Sequence, residues 1–190
     1  MNAIASTITA GQISSVLSST GVDLTSAASL NNMVSSIRSV ADSVVAAGGD
    51  SGSVNMGDVN HLKTVVVDGD FAMHGSGAGM LVVKGTLTFD GNVNYTGVIL
   101  VIGKGSMIRH GGGNGTLSGE IWVANTAGSD GIVGNADDAL GATTFDTSGG
   151  GSSNIQYCSS AVHNALTNLH SPPAPPSNAP LIVKAFNHVF

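Results

Sequence analysis

Charge is scarce in this chain: only 9% of its 190 residues are Asp, Glu, Lys or Arg, against about a quarter in an ordinary soluble domain. Six Lys and Arg, scattered singly, stand against twelve Asp and Glu, for a net charge of −6. With no basic face to neutralise a phosphate backbone, the composition speaks against nucleic-acid binding. Cys158 is the only cysteine, so no internal disulfide forms and the redox compartment stays open. No stretch approaches the roughly 20 apolar residues of a membrane-spanning helix. Residues 1–10 also lack the basic start and apolar run of a secretory leader. The expectation is a protein soluble throughout, or one whose leader and anchor lie upstream. Aromatics are only 4% of the chain, leaving Trp122, Tyr95 and Tyr157 as the polar-tipped rings for stacking on a sugar. All five prolines fall within residues 171–180, which therefore read as an extended linker.

Glycine is abundant instead, with 27 residues in clusters and no collagen period. Four apolar runs, each followed by a glycine-rich turn, recur at residues 64–67, 80–83, 98–102 and 120–124. The steps from Val66 to Val82, Val101 and Val123 are 16, 19 and 22 residues, near the roughly 20 to 29 of short structural repeats. A unit that short cannot bury its own apolar face and must stack on the next. Asp68-Gly69 and Asp90-Gly91 are also hairpin signals. A coil is nevertheless expected, because the apolar runs are short and broken by glycines where a solenoid corner needs positive φ. The run from Val98 to Ile102 is apolar at successive positions, which favours strands covered on both sides, as in parallel sheets. The residues expected to point inward are Val65, Val67, Leu81, Val83, Ile99, Val101, Ile121 and Val123.

The first fifty residues follow helical spacing. Thr9 and Gln12 form a capping-box pattern with Ile8 and Ile13 as its staple, and Gly21 suits the helix end. Leu30, Met33, Val34, Ile37, Val40, Ala41, Val44 and Val45 mark a second helix ended by Gly48 and Gly49. Arg38 and Asp42 are spaced i,i+4 on it. Residues 1–50 are thus expected as a helical hairpin, 51–60 as a linker, 61–170 as the solenoid and 181–190 as a returning strand. Residues 153–168 are expected as a late helix, with Ala161, Val162, Ala165, Leu166 and Leu169 on one face, covering the open end of the stack. The fold class is mainly β: a right-handed parallel β-solenoid with an N-terminal α-helical hairpin.

The segments Leu81-Val82-Val83-Lys84-Gly85-Thr86-Leu87, Tyr95-Thr96-Gly97-Val98-Ile99-Leu100-Val101-Ile102-Gly103, Gly111-Gly112-Gly113-Asn114-Gly115 and Gly119-Glu120-Ile121-Trp122-Val123-Ala124 carry a resemblance. With Ser148-Gly149-Gly150-Gly151 and Ile155-Gln156-Tyr157 they are similar to the C-terminal region of PilX-type type IV pilus assembly proteins, over about residues 60 to 160. The resemblance implies an exposed β-rich domain accompanying pilus assembly at the cell surface. It also implies an N-terminal apolar anchor helix, which this sequence does not show.

Candidate sites are few. Asp130, Asn135, Asp137 and Asp138 lie within nine residues on a glycine-containing loop, a set of oxygen donors suited to calcium. It matches no complete calcium motif, and an Asx-rich surface turn explains the same residues. The six histidines, His61, His74, His110, His163, His170 and His188, show no short-range metal-binding pair. Cys158 stands five residues from His163, off the same helical face, and reads as a small buried thiol. Asp68, Asp70, Asp90, Glu120 and Asp146 are the acids available to a polysaccharide-active enzyme, which needs two of them about 5 to 10 Å apart. Most sit at corner positions where a turn role suffices. The expected function is non-enzymatic: a structural or adhesive cell-surface module, with protein subunits or further copies of itself as partners and no cofactor. A calcium-dependent adhesin and a polysaccharide-active β-helix enzyme are the alternatives.

Overall fold

The computed structural model of the protein describes residues 23–110, 113–149 and 153–169. The first helix of the expected hairpin, the proline-rich linker and the returning strand over residues 181–190 lie outside the described residues. The elements in chain order are α1 (Ala27–Ser39), β1 (Ser43–Val45), β2 (Gly49–Asp50), a 3-10 turn (Ser51–Ser53), β3 (Lys63–Val67), β4 (Phe71–Val83), β5 (Thr86–Gly103), β6 (Ser106–His110), β7 (Gly115–Asn125), β8 (Thr144–Asp146), β9 (Ser153–Tyr157) and α2 (Ser159–Thr167).

Every pairing between these strands is parallel, and the chain winds as a β-solenoid of about four turns. The register makes three rows of stacked positions. One runs Val45, Val67, Val83, Val101, Val123, a valine on every coil. The second runs Phe71, Leu87, Met107, Phe145, and the third Gly77, Tyr95, Leu117, Ile155. The coil spacing differs from the sequence reading by one slip. Val66 pairs with Val82, Leu100 and Trp122, so the steps are 16 (66 to 82), 18 (82 to 100) and 22 (100 to 122). Val101 belongs to the neighbouring inward column.

Alternation along the first row sends residues to two cores. Val65, Val67, Leu81, Val83, Ile99 and Val101 are buried inside the coil, and Ile121 and Val123 pack against them half-buried at its end. Val66, Met80, Val82, Val98, Leu100 and Ile102 face the other way, where Leu30, Val34 and Ile37 of α1 and Ala165 of α2 bury them. A strand covered on both faces needs apolar residues at successive positions, which accounts for the unbroken runs.

The corners depend on glycine at one ladder above all. Gly79, Gly97 and Gly119 stack in register with φ of +121°, +136° and +145°. A Cβ on Gly97 would stand 2.0 Å from the Gly79 carbonyl oxygen, and one on Gly119 1.8 Å from that of Gly97. Both φ and space therefore demand the bare residue.

Several boundaries differ from the sequence reading. α1 starts where the Ser26 hydroxyl accepts the Ser29 N–H at 3.3 Å and stops at Ser39, six residues before Val45. The β-branched Val44 and Val45 instead continue the ladders of Val66 and Val67. Arg38 accordingly pairs with Asp68 at 2.8 Å and leaves Asp42 to Lys63 at 3.1 Å. Residues of the expected linker also belong to the coil: β2 pairs with β4, and the buried Met56 accepts the Ala78 N–H through its carbonyl at 2.9 Å. Residues 153–157 pair as a strand with β7. α2 begins after them and lies across the outward face of β4, β5 and β7 instead of closing the end of the stack.

Candidate functional site

Many of the polar residues at the corners serve the coil itself. Asp42 Oδ2 accepts the Thr64 N–H at 2.8 Å, Asp70 Oδ1 the Thr86 N–H at 2.8 Å, and Asn94 Oδ1 the Thr116 N–H at 3.1 Å. Asn92 treats the Asn114 N–H in the same way. In each case a side chain on one coil accepts from the backbone of the next, so the parallel ladder continues through the corner where a strand carbonyl is missing.

The five acids proposed for glycan chemistry are engaged one by one. Asp68 takes Arg38 and Lys84, the latter at 3.2 Å, and the hydrogen bond from Arg38 is the main reason its carboxyl is held below the usual range. Asp70 is lowered chiefly by the Thr86 N–H and then by Lys104, 3.1 Å away. Asp90 stands 3.7 Å from His74 and opposite His110 on the next coil. Glu120 accepts the Trp122 indole N–H. Asp146 accepts the Ser148 N–H at 2.8 Å, and Ser148 is the main cause of its lowered pKa. They run from the β3–β4 corner to the last coil, each with its own partner.

The acidic loop folds on itself. Asp137 Oδ2 accepts the Ser129 N–H, the Ser129 hydroxyl and the Asp130 N–H at 3.1, 3.0 and 3.3 Å, and the Ser129 hydroxyl leads in depressing its pKa. Asp130 accepts from the Asn135 amide at 2.7 Å and from the Ile132 N–H at 2.8 Å. Asp138 Oδ2 accepts the Gly134 N–H at 2.8 Å and, from α1, the Asn31 amide at 2.7 Å. Asn31 in turn accepts the Thr126 hydroxyl at 2.7 Å. Asn31 thus pins the loop to the helix, a long-range role that no local motif announced. Among the described residues no group of three or more His, Cys, Asp or Glu side chains is placed to hold a metal ion.

Cys158 is the residue that precedes α2, with its thiol 3.3 Å from the Ser160 hydroxyl. It is half-buried, not buried as its apolar character suggested, and the contact with Ser160 is the main cause of its lowered pKa. His61 lies 3.3 Å from Asp58 on the surface. Burial pushes the pKa of the Tyr95 phenol up from its ordinary value. His170 and His188 are outside the described residues.

Among the described residues the coil ends at β8 and β9. Phe145 and Ile155 terminate two of the apolar rows and are 51% and 48% exposed, and Tyr157 beside them is 60% exposed. Buried positions in the same rows, such as Leu87 and Met107, show that these side chains would be core residues if another coil lay above them. A scan against protein-family models and searches of curated proteins and of solved structures found no match.

Proposed function

We propose that this chain is a non-enzymatic structural or adhesive module of a cell-surface or pilus-associated protein, acting outside the cell as a rigid coil that presents polar rows and an apolar end to neighbouring protein subunits, further copies of itself among them. The observation that carries this reading is the apolar end of the stack, where Phe145 and Ile155 continue core rows into solvent and Tyr157 stands exposed beside them. Apolar area left in this way favours contact with another surface. The resemblance of residues 60–160 to pilus assembly proteins points the same way. In this reading the coil is right-handed, the hand that parallel crossovers adopt.

The test is the solution mass of the full chain by light scattering over a concentration series, alone and with Phe145→Ser plus Ile155→Ser. Concentration-dependent association that the double variant abolishes supports the proposal. Monomers at every concentration, together with turnover of an acidic or neutral glycan that Asp90→Asn abolishes, would replace it with an enzyme. A rise in melting temperature with calcium that Asp137→Ala removes would make the module a calcium-dependent adhesin.

A further inference from the structure

One cation in the fold stands apart from the others. Arg38, Lys63, Lys84 and Lys104 each hold a carboxylate at 2.8 to 3.2 Å. Arg109, near the end of β6, is half-buried and has no carboxylate partner among the described residues. Its Nη2 donates to the Gly113 carbonyl, and its Nε is buried with no partner at all. An ionised donor withdrawn from water without a counter-charge is costly, and an anion that reaches it removes that cost.

The register explains the isolation. Arg109 pairs with Phe89 of the coil beneath, and both Phe89 and Met107 belong to the inner core. Alternation along β6 therefore turns Arg109 to the inward face with Met107. The next pair on the ladder, Asp90 and His110, is exposed on the opposite face, where Asp90 stands 3.7 Å from His74. β8 pairs with β6 over residues 106–108, so its ladder stops one position short of Arg109. Phe145 of β8 stacks on Met107 and is 51% exposed. Two residues along a strand and one strand spacing across put it about 8 Å from Arg109 between Cα atoms. The guanidinium thus adjoins the exposed apolar end.

This setting narrows the ligand. The Nε–H and one Nη–H of a guanidinium form an edge that takes a carboxylate through two parallel hydrogen bonds. A doubly charged phosphate needs a second cation, and every other described Lys and Arg is already held by an acid. Phe89 below and Phe145 beside the charge suit an apolar body behind the head group.

We propose that Arg109 is the charged anchor of a site for a single carboxylate borne on an apolar group, which packs against Phe145 at the end of the coil. The site takes that group from a free acid or from an acidic side chain of a second copy. Only the second source rests on the scaffold reading.

Nuclear magnetic resonance titration of the isotope-labelled full chain with benzoate tests it, at a concentration where light scattering gives a monomer. Benzamide is the uncharged control, and sodium chloride matches the ionic strength. Benzoate is expected to shift the Arg109 Nε–H resonance saturably and to perturb the Phe145 amide. Arg109→Gln should weaken binding by about tenfold or more, while unmoved amides of Val83 and Val101 show that the coil is folded. No saturable shift, an equal shift with benzamide, or undiminished binding to Arg109→Gln overturns the proposal. Light scattering at higher concentration then separates the sources. Self-association weakened by both benzoate and Arg109→Gln assigns the carboxylate to a second copy. Benzoate binding with association unaffected, or with none at any concentration, assigns a free acid, and the last result removes self-assembly while the site stands.

Discussion

At a single corner the argument reduces to whether a methyl group fits. Gly97 has φ +136° and its missing Cβ would lie 2.0 Å from a backbone oxygen of the coil beneath. Gly97→Ala is therefore expected to cost at least about 2 kcal/mol, combining backbone strain with a clash that no side-chain rotation relieves. Chemical denaturation measures it. Gly131, at φ +73° with open space around it, should tolerate alanine better, at about 1 kcal/mol of strain alone. The carboxylates supply a second residue-level expectation. Asp68 and Asp70 have pKa values lowered in the folded state, so their stabilisation is present above the ordinary carboxylate value near 4 and is lost as pH falls through the folded values. Melting temperature should drop as pH falls below about 4, and Asp68→Asn should lower it at neutral pH while flattening that drop. An unchanged acid slope would contradict the role given to the Arg38–Asp68–Lys84 group.

Each strand is held by what lies on both of its faces. Leu81 is fully buried within the coil, and Leu81→Ala is expected to cost about 2 to 5 kcal/mol, as a buried leucine does when its neighbours cannot collapse. The outward face answers to the helices: Ala165 of α2 is buried against it, so Ala165→Glu should strip α2 from the sheet. Proteolysis within residues 159–167 and a loss of helical circular dichroism signal would report that event. The inward set was legible because only a two-sided strand needs residues such as Val65, Val66 and Val67 in unbroken series. Less of the boundaries could be read. Val44 and Val45 satisfy helical spacing from Leu30 as well as they satisfy a strand, and only the presence of Val66 and Val67 beside them decides the matter. Ser153 to Tyr157 likewise becomes a strand through pairing with β7, a partner more than thirty positions away. The acidic loop was visible as a cluster, but its anchorage through Asn31 depends on a contact 107 residues distant.

Taken whole, the molecule is a stack in which stability passes from coil to coil through parallel rows, and the valine row is the feature on which the fold and the scaffold reading rest. Nearest-neighbour stacking makes terminal coils the weakest and most dependent on cover, consistent with apolar residues left at the end near Phe145 and Ile155. The direct test is nuclear magnetic resonance on the full chain with valine methyl and backbone labels. It is predicted to give cross-peaks linking Val67 to Val83, Val83 to Val101 and Val101 to Val123, with backbone contacts of parallel pairing. Strong contacts between facing α-protons, the mark of antiparallel hairpins joining neighbouring segments, would contradict the coil.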